Sequence, residues 1–173
     1  EGRIVTAHTQ DDRVENFYMR SIKGTGPGGF RSMLYQNGPI VRPLLDVSRV
    51  DLRDYLAQRA QSGETIVRDA AGDLWREDAT NAHTDRFRSY VRHTIVPAAK
   101  EQNAHLLDTL CRTMNLISDE DDFMEALTQQ EMDGHVELGE GEALLLPSFG
   151  TLALPIQRRA VRAILEGLIG ADG

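Results

Sequence analysis

The sequence has a single cysteine, Cys111, so neither an internal disulfide nor a cysteine-built metal cluster can form, and a reducing, cytoplasmic setting is expected. No apolar run approaches the ~20 residues needed to cross a bilayer, so no membrane partner is expected, and no signal-peptide pattern occurs. Internal repeats and low-complexity tracts are missing too. Positive charge is short overall: 19 Lys and Arg face 27 Asp and Glu, a formal net charge of -8. Spread evenly, that balance would argue against nucleic acid as a partner, but the deficit is local. Residues 1–100 hold 15 basic against 13 acidic side chains, a balance of +2, whereas residues 101–173 hold 4 against 14, a balance of -10. The acidity belongs to the second part, and the first keeps clustered arginines that can meet phosphate.

What is present is a chain of 173 residues, 40% hydrophobic and 27% charged, long enough for roughly one domain of ~150 residues with a small appendage. Gly2 to Ala7 reads as a short buried strand, and Asp11 to Lys23 as a helix carrying Val14, Phe17, Tyr18 and Ile22, ended by Gly24. Asn37-Gly38 marks a turn between two short strands. Ser48 has the position of an N-cap, with Asp51 three residues on and Leu52, Tyr55 and Leu56 following to about Ala60. Gln61 to Asp73 is irregular, and Pro97 is expected to stop a helix that begins after it. From Ala104 to about Met132 an apolar stripe predicts one long helix or two in series, with the acidic run Ser118-Asp-Glu-Asp-Asp122 interrupting the stripe. A strand at Ala143–Pro147, a turn near Gly150 and a closing helix with Pro155 in its first turn complete the pattern.

One stretch concentrates chemistry: His8-Thr-Gln-Asp11-Asp12-Arg-Val-Glu15. In a helix starting near Asp11, Asp11 and Glu15 share a face, Asp12 lies in the same first turn, and His8 sits at the strand end, where open α/β sheets bind ligands. Such a group could hold Mg²⁺, bind an ammonium or remove a proton. The plainer reading is a capped helix, since acids at a helix N-terminus gain about 0.3–1 kcal/mol from the macrodipole; on spacing alone it is the stronger of the two. Gly24, Gly26 and Gly29 spell G-x-G-x-x-G, but they follow a helix instead of opening one after a strand, so a dinucleotide site is not expected.

Several segments together resemble the tRNA(Ile)-lysidine synthetase family of PP-loop ATP pyrophosphatases: "AHTQDDRVEN", "KGTGPGGF", "VRPLLDVSRVDLRDYL", "WREDATN" and "RFRSYVRHTIVP", then more loosely "LDTLCRTMNLISDEDDFMEAL" and "LPIQRRAVRAIL". The resemblance implies an α/β fold: residues 1–100 as the later part of a doubly wound parallel-sheet, Rossmann-like PP-loop ATPase domain, and residues 101–173 as a mainly helical subdomain, leaving this chain itself mostly α. It also implies a carbon-nitrogen ligase that uses ATP and Mg²⁺ to join free lysine to the wobble cytidine of an isoleucine tRNA, through cytidine adenylated at its C2 carbonyl oxygen.

By the same resemblance Asp12 and Glu15 are tied to lysine and magnesium, with Asp12 the metal ligand, while Asp11 and His8 are their neighbours and Arg92 faces the α-phosphate. Asn81 aligns with a polar residue of the same site. Arg86, Arg88 and Arg92 form one basic group, and Arg158, Arg159 and Arg162 a second, both suited to tRNA phosphates. Asp12→Asn and Glu15→Gln are expected to abolish lysine transfer and spare the fold, because a helix start is exposed. The family's Ser-Gly-Gly-x-Asp-Ser phosphate loop is nowhere in the sequence. The chain is therefore expected to be a fragment that is inactive alone, prone to self-association through its first strand, with a homodimer as the simplest form. Asn16 stands where the family commonly has threonine, and Ser89 replaces asparagine in R-N-x-x-R. Two rival readings are a non-catalytic tRNA-binding module and a tRNA thiolase of the same group, and one cysteine argues against the thiolase.

Overall fold

The computed structural model describes residues 2–31, 33–76 and 87–170, which fall into two compact units, Glu1–Ile117 and Ser118–Gly173. In the first unit β1 (Ile4–Val5) runs parallel to β3 (Ile40–Val41), which pairs antiparallel with β2 (Gln36–Asn37), giving the order β1-β3-β2. The β2–β3 turn falls at Asn37-Gly38 as expected, with Gly38 at φ 54°, a conformation glycine adopts without a Cβ penalty. The buried strand expected over Gly2–Ala7 is a correction: only Ile4 and Val5 are strand, and they are 58% and 69% exposed. The core of this unit is helical, and β1 meets only β3 among the described strands.

That core is set by α1 (Gln10–Lys23), whose Val14 packs with Val91, Val96, Leu106, Cys111 and Met114, flanked by Phe17, Tyr18 and Met19. The apolar positions 14, 17 and 18 recur at helical spacing, so one face of α1 is buried. After α2 (Arg49–Gln61), the segment α3 (Phe87–Tyr90), a π-turn (Val91–Ile95) and α4 (Val96–Gln102) form one helical run. Pro97 does not stop this helix. The Val96 N–H reaches back five residues to the Val91 carbonyl, and Pro97 follows in the first turn of α4, where a missing N–H costs least. The apolar stripe from residue 104 is one helix, α5 (Leu106–Met132), continuous through the acidic run.

The second unit holds a core of Met132, Phe149 and Ala160, with Val136, Leu152 and Ile164 around it. The strand expected at Ala143–Pro147 is β5 (Ala143–Leu145), paired antiparallel with β4 (Val136–Leu138), which the sequence reading had not anticipated. A 3₁₀ turn (Pro147–Thr151) leads into α6 (Leu154–Gly170), with Pro155 in its first turn.

Candidate functional site

The N-termini of α1 and α2 are tied together. The Gln10 N–H donates to the Val47 carbonyl at 3.0 Å, and the Arg49 N–H, the first of α2, donates to Asp11 Oδ2 at 2.8 Å. Asp11 thus caps the neighbouring helix and lies 3.5 Å from Lys100 Nζ. On α1 itself, the Thr9 N–H and hydroxyl both donate to Asp12 Oδ2, at 2.9 and 2.8 Å. On α2, Ser48 and Asp51 form a reciprocal capping box.

Asp12 and Glu15 point inward, 8% and 1% exposed, and three arginines meet them. Arg49 Nη2 lies 2.8 Å from Asp12 Oδ1 and 2.9 Å from Glu15 Oε1. Arg88 places Nη2 2.6 Å from Asp12 Oδ1 and Nε 3.0 Å from Glu15 Oε2. Arg92 forks onto Glu15, Nε at 2.7 Å and Nη2 at 3.0 Å, with Nη2 also 3.6 Å from Asp12. Burial alone would raise the pKa of Asp12, but the Thr9 donors, then Arg49 and Arg88, outweigh it and hold the carboxyl below its ordinary value. Burial works against Glu15 in the same way. There the hydrogen bond from Arg92 and the charges of Arg49 and Arg92 win, and its pKa is also lowered. Both acids therefore stay ionised at neutral pH although they are buried.

The structure brings together only part of the expected set. Asp12, Glu15, Arg88 and Arg92 converge; Asp11 borders them through the Arg49 backbone. His8 is a correction to the picture of four converging side chains: its Nδ1 sits 2.9 Å from Thr6 Oγ1, and none of its hydrogen bonds reaches the acids. Asn81 and Arg86 lie outside the described residues. The basic group of α6 is split. Arg158 is exposed and Arg162 lies 3.8 Å from Glu166, but Arg159 is paired with the buried Asp121 and turned away from solvent, so it is no part of an open phosphate surface.

Two residues escaped the sequence reading. Arg49 opens a helix, where the macrodipole disfavours a cation, and that misfit was the available signal that a carboxylate waits opposite it. Arg13, 1% exposed, reaches Asp46 at 3.1 Å and also bonds Asn115, pinning α1 to the turn before α2 and to α5.

The donor set does not fit Mg²⁺ at Asp12. Its Oδ2 is taken by Thr9 and its Oδ1 by guanidiniums, and among the described residues no group of three or more His, Cys, Asp and Glu is placed to hold a metal ion. What the arrangement does suit is a nitrogen cation: besides Thr9, the hydrogen bonds given for the two acids come from guanidinium N–H donors at 2.6–3.0 Å.

Comparison with known proteins bears on the same stretch. A family model described as the PP-loop domain matches residues 2–99. The chain is 29% identical over 167 residues to a tRNA(Ile)-lysidine synthase of Solibacter usitatus (strain Ellin6076), covering 95% of this chain and 35% of that protein. It is 27% identical over 174 residues to one of Geobacillus kaustophilus (strain HTA426), covering 98% and 35%. Against one of Treponema pallidum (strain Nichols) the identity is 33% over 131 residues, covering 76% and 25%. The chain thus spans roughly a third or less of the length of these relatives.

Proposed function

The chain belongs to the PP-loop domain family, and from that premise we propose that it supplies the amine-handling part of an ATP-dependent ligase that joins lysine to the wobble cytidine of an isoleucine tRNA. The observation that carries this reading is the Asp12–Glu15 pair: two buried carboxylates, kept ionised and surrounded by nitrogen cations, within the stretch that the family model matches. In the reaction, the cytidine C2 oxygen attacks the α-phosphorus of ATP and pyrophosphate leaves. The lysine ε-nitrogen then attacks C2, the C2–O bond breaks, AMP departs and the ammonium gives up its protons. Lysine arrives protonated, so a site for it needs carboxylates first to bind the ammonium and then to accept a proton. Glu15 and Asp12 have the charge for both tasks, with the ammonium taking a place that a guanidinium holds in this structure. Arg92 and Arg88, drawn to the same point, suit the phosphate charge that develops as AMP leaves.

A cytoplasmic setting and self-association belong to this proposal in their turn. In the structure, no described helix is long and apolar enough to cross a membrane. The test separates the two half-reactions in the complete enzyme. With Asp12→Asn, adenylation read by pyrophosphate release should persist while incorporation of labelled lysine collapses. Equal loss of both would remove Asp12 from amine handling.

A second reading has its own support, since Asp12 has both oxygens fully committed within the protein. On that reading the acids are only a structural knot in a tRNA-binding module. Lysine transfer per folded molecule would then be unchanged in any variant that still folds.

A further inference from the structure

Three guanidiniums and two carboxylates meet at this point, and each arginine lies within 3.6 Å of both acids. Lys100 and Asp11 beside them balance each other. Among the described residues the guanidiniums at this point outnumber the carboxylates. The three arginines are not equivalent holders. Arg92 grips Glu15 through two nitrogens and its side chain is 22% exposed. Arg49 touches both acids through one nitrogen while its backbone, the first N–H of α2, is fixed by Asp11; its side chain is 31% exposed. Arg88 gives one nitrogen to each acid, and its side chain is 46% exposed.

If Arg88 departs, Asp12 keeps Arg49 and Thr9, and Glu15 keeps Arg92 and Arg49. If Arg49 is missing as well, Asp12 keeps Thr9 and one contact at 3.6 Å, too little for a buried carboxylate. We infer that Arg49 is a positioning residue: it is the standing counter-ion of Asp12 and Glu15, and it lets the more exposed guanidinium of Arg88 leave them for a phosphate oxyanion without stranding a buried charge. Only the naming of that oxyanion as a phosphate of the nucleotide or the RNA rests on the ligase reading.

The experiment follows the arginine Nε–Hε resonances of the ¹⁵N-labelled 173-residue chain during titration with inorganic pyrophosphate and, separately, with dimethyl phosphate. In the unsubstituted chain the Arg88 resonance should move saturably while those of Arg49 and Arg92 stay in place. A response to pyrophosphate alone points to the nucleotide tail, and a response to both probes to the RNA phosphodiester. Arg49→Lys, which keeps a cation, should preserve the Arg88 response. Arg49→Met should weaken it about tenfold or more. An Arg88 response of full strength in Arg49→Met overturns the inference. So does movement of Arg92 in place of Arg88, or no movement of Arg88 at concentrations well above the ~1 mM of the weakest specific affinities. If Arg49→Met does not fold, Arg49→Gln, which also removes the cation, takes its place with the same expected and contradicting results. Lysine transfer does not enter the measurement, so its outcome and that of the ligase reading can fail separately.

Discussion

Glu15 is 1% exposed and has three guanidinium partners, so its charge is held in place from several sides at once. Removing one member of a buried ion cluster leaves the rest uncompensated, at a cost of about 3–5 kcal/mol. Glu15→Ala should therefore lower unfolding free energy by an amount of that order in urea melts, and the sequence-level expectation that this helix start is exposed and neutral to stability is reversed by its burial. The same pair sets a pH dependence. Folding lowers both carboxyl pKa values, so the folded chain binds fewer protons than the unfolded one; the resulting stability is present above the ordinary values of 3.8 and 4.5 and is lost as pH falls through them toward the folded values. The stability gap between the unsubstituted chain and Glu15→Gln should accordingly narrow from pH 7 to pH 3, and a gap independent of pH would remove the charges from the account. Cys111 behaves oppositely: burial pushes its thiol up to about 11, so a thiol reagent at neutral pH should label it only as the chain unfolds.

At the scale of elements, the readable parts were those with local chemistry. Ser48 with Asp51 announced α2, Asn37-Gly38 announced the β2–β3 turn, and the 14, 17, 18 spacing announced α1. The unreadable parts depended on partners distant in sequence. Pro97 reads as a stop because it lacks a donor, and only the π-turn before it makes that donor unnecessary. Arg49 has no role in the sequence until Asp12 and Glu15, 37 and 34 residues away, are placed against it. Asp12 likewise is held by the local Thr9 donors on one oxygen and by the long-range arginines on the other. The caps allow a comparison. Ser48→Ala should cost about 1 kcal/mol, and Thr9→Ala more, toward about 2 kcal/mol, because the Thr9 hydroxyl donates to the buried Asp12 carboxylate whereas the Ser48 hydroxyl donates to the exposed Asp51. Equal losses in urea unfolding would mean that the Thr9 hydroxyl acts as a cap alone.

At the scale of the whole chain, the acidity of the second part is partly internal: Asp121, in the acidic run that interrupts the apolar stripe of the sequence, is buried against Arg159. Arg158→Ala should therefore reduce the slope of log K against log salt for tRNA binding by about 1, whereas Arg159→Ala should leave the slope alone and lower the melting temperature. The PP-loop match covers residues 2–99 and so includes every member of the carboxylate–arginine cluster. The central claim is that this cluster handles the amine, and it is tested most directly by lysine transfer per folded molecule in the complete enzyme carrying Glu15→Gln. A fall of about 10²-fold or more, the scale of lost acid–base catalysis, with tRNA affinity retained, is the predicted result. Transfer undiminished per folded molecule would contradict the claim and return Asp12 and Glu15 to a purely structural role.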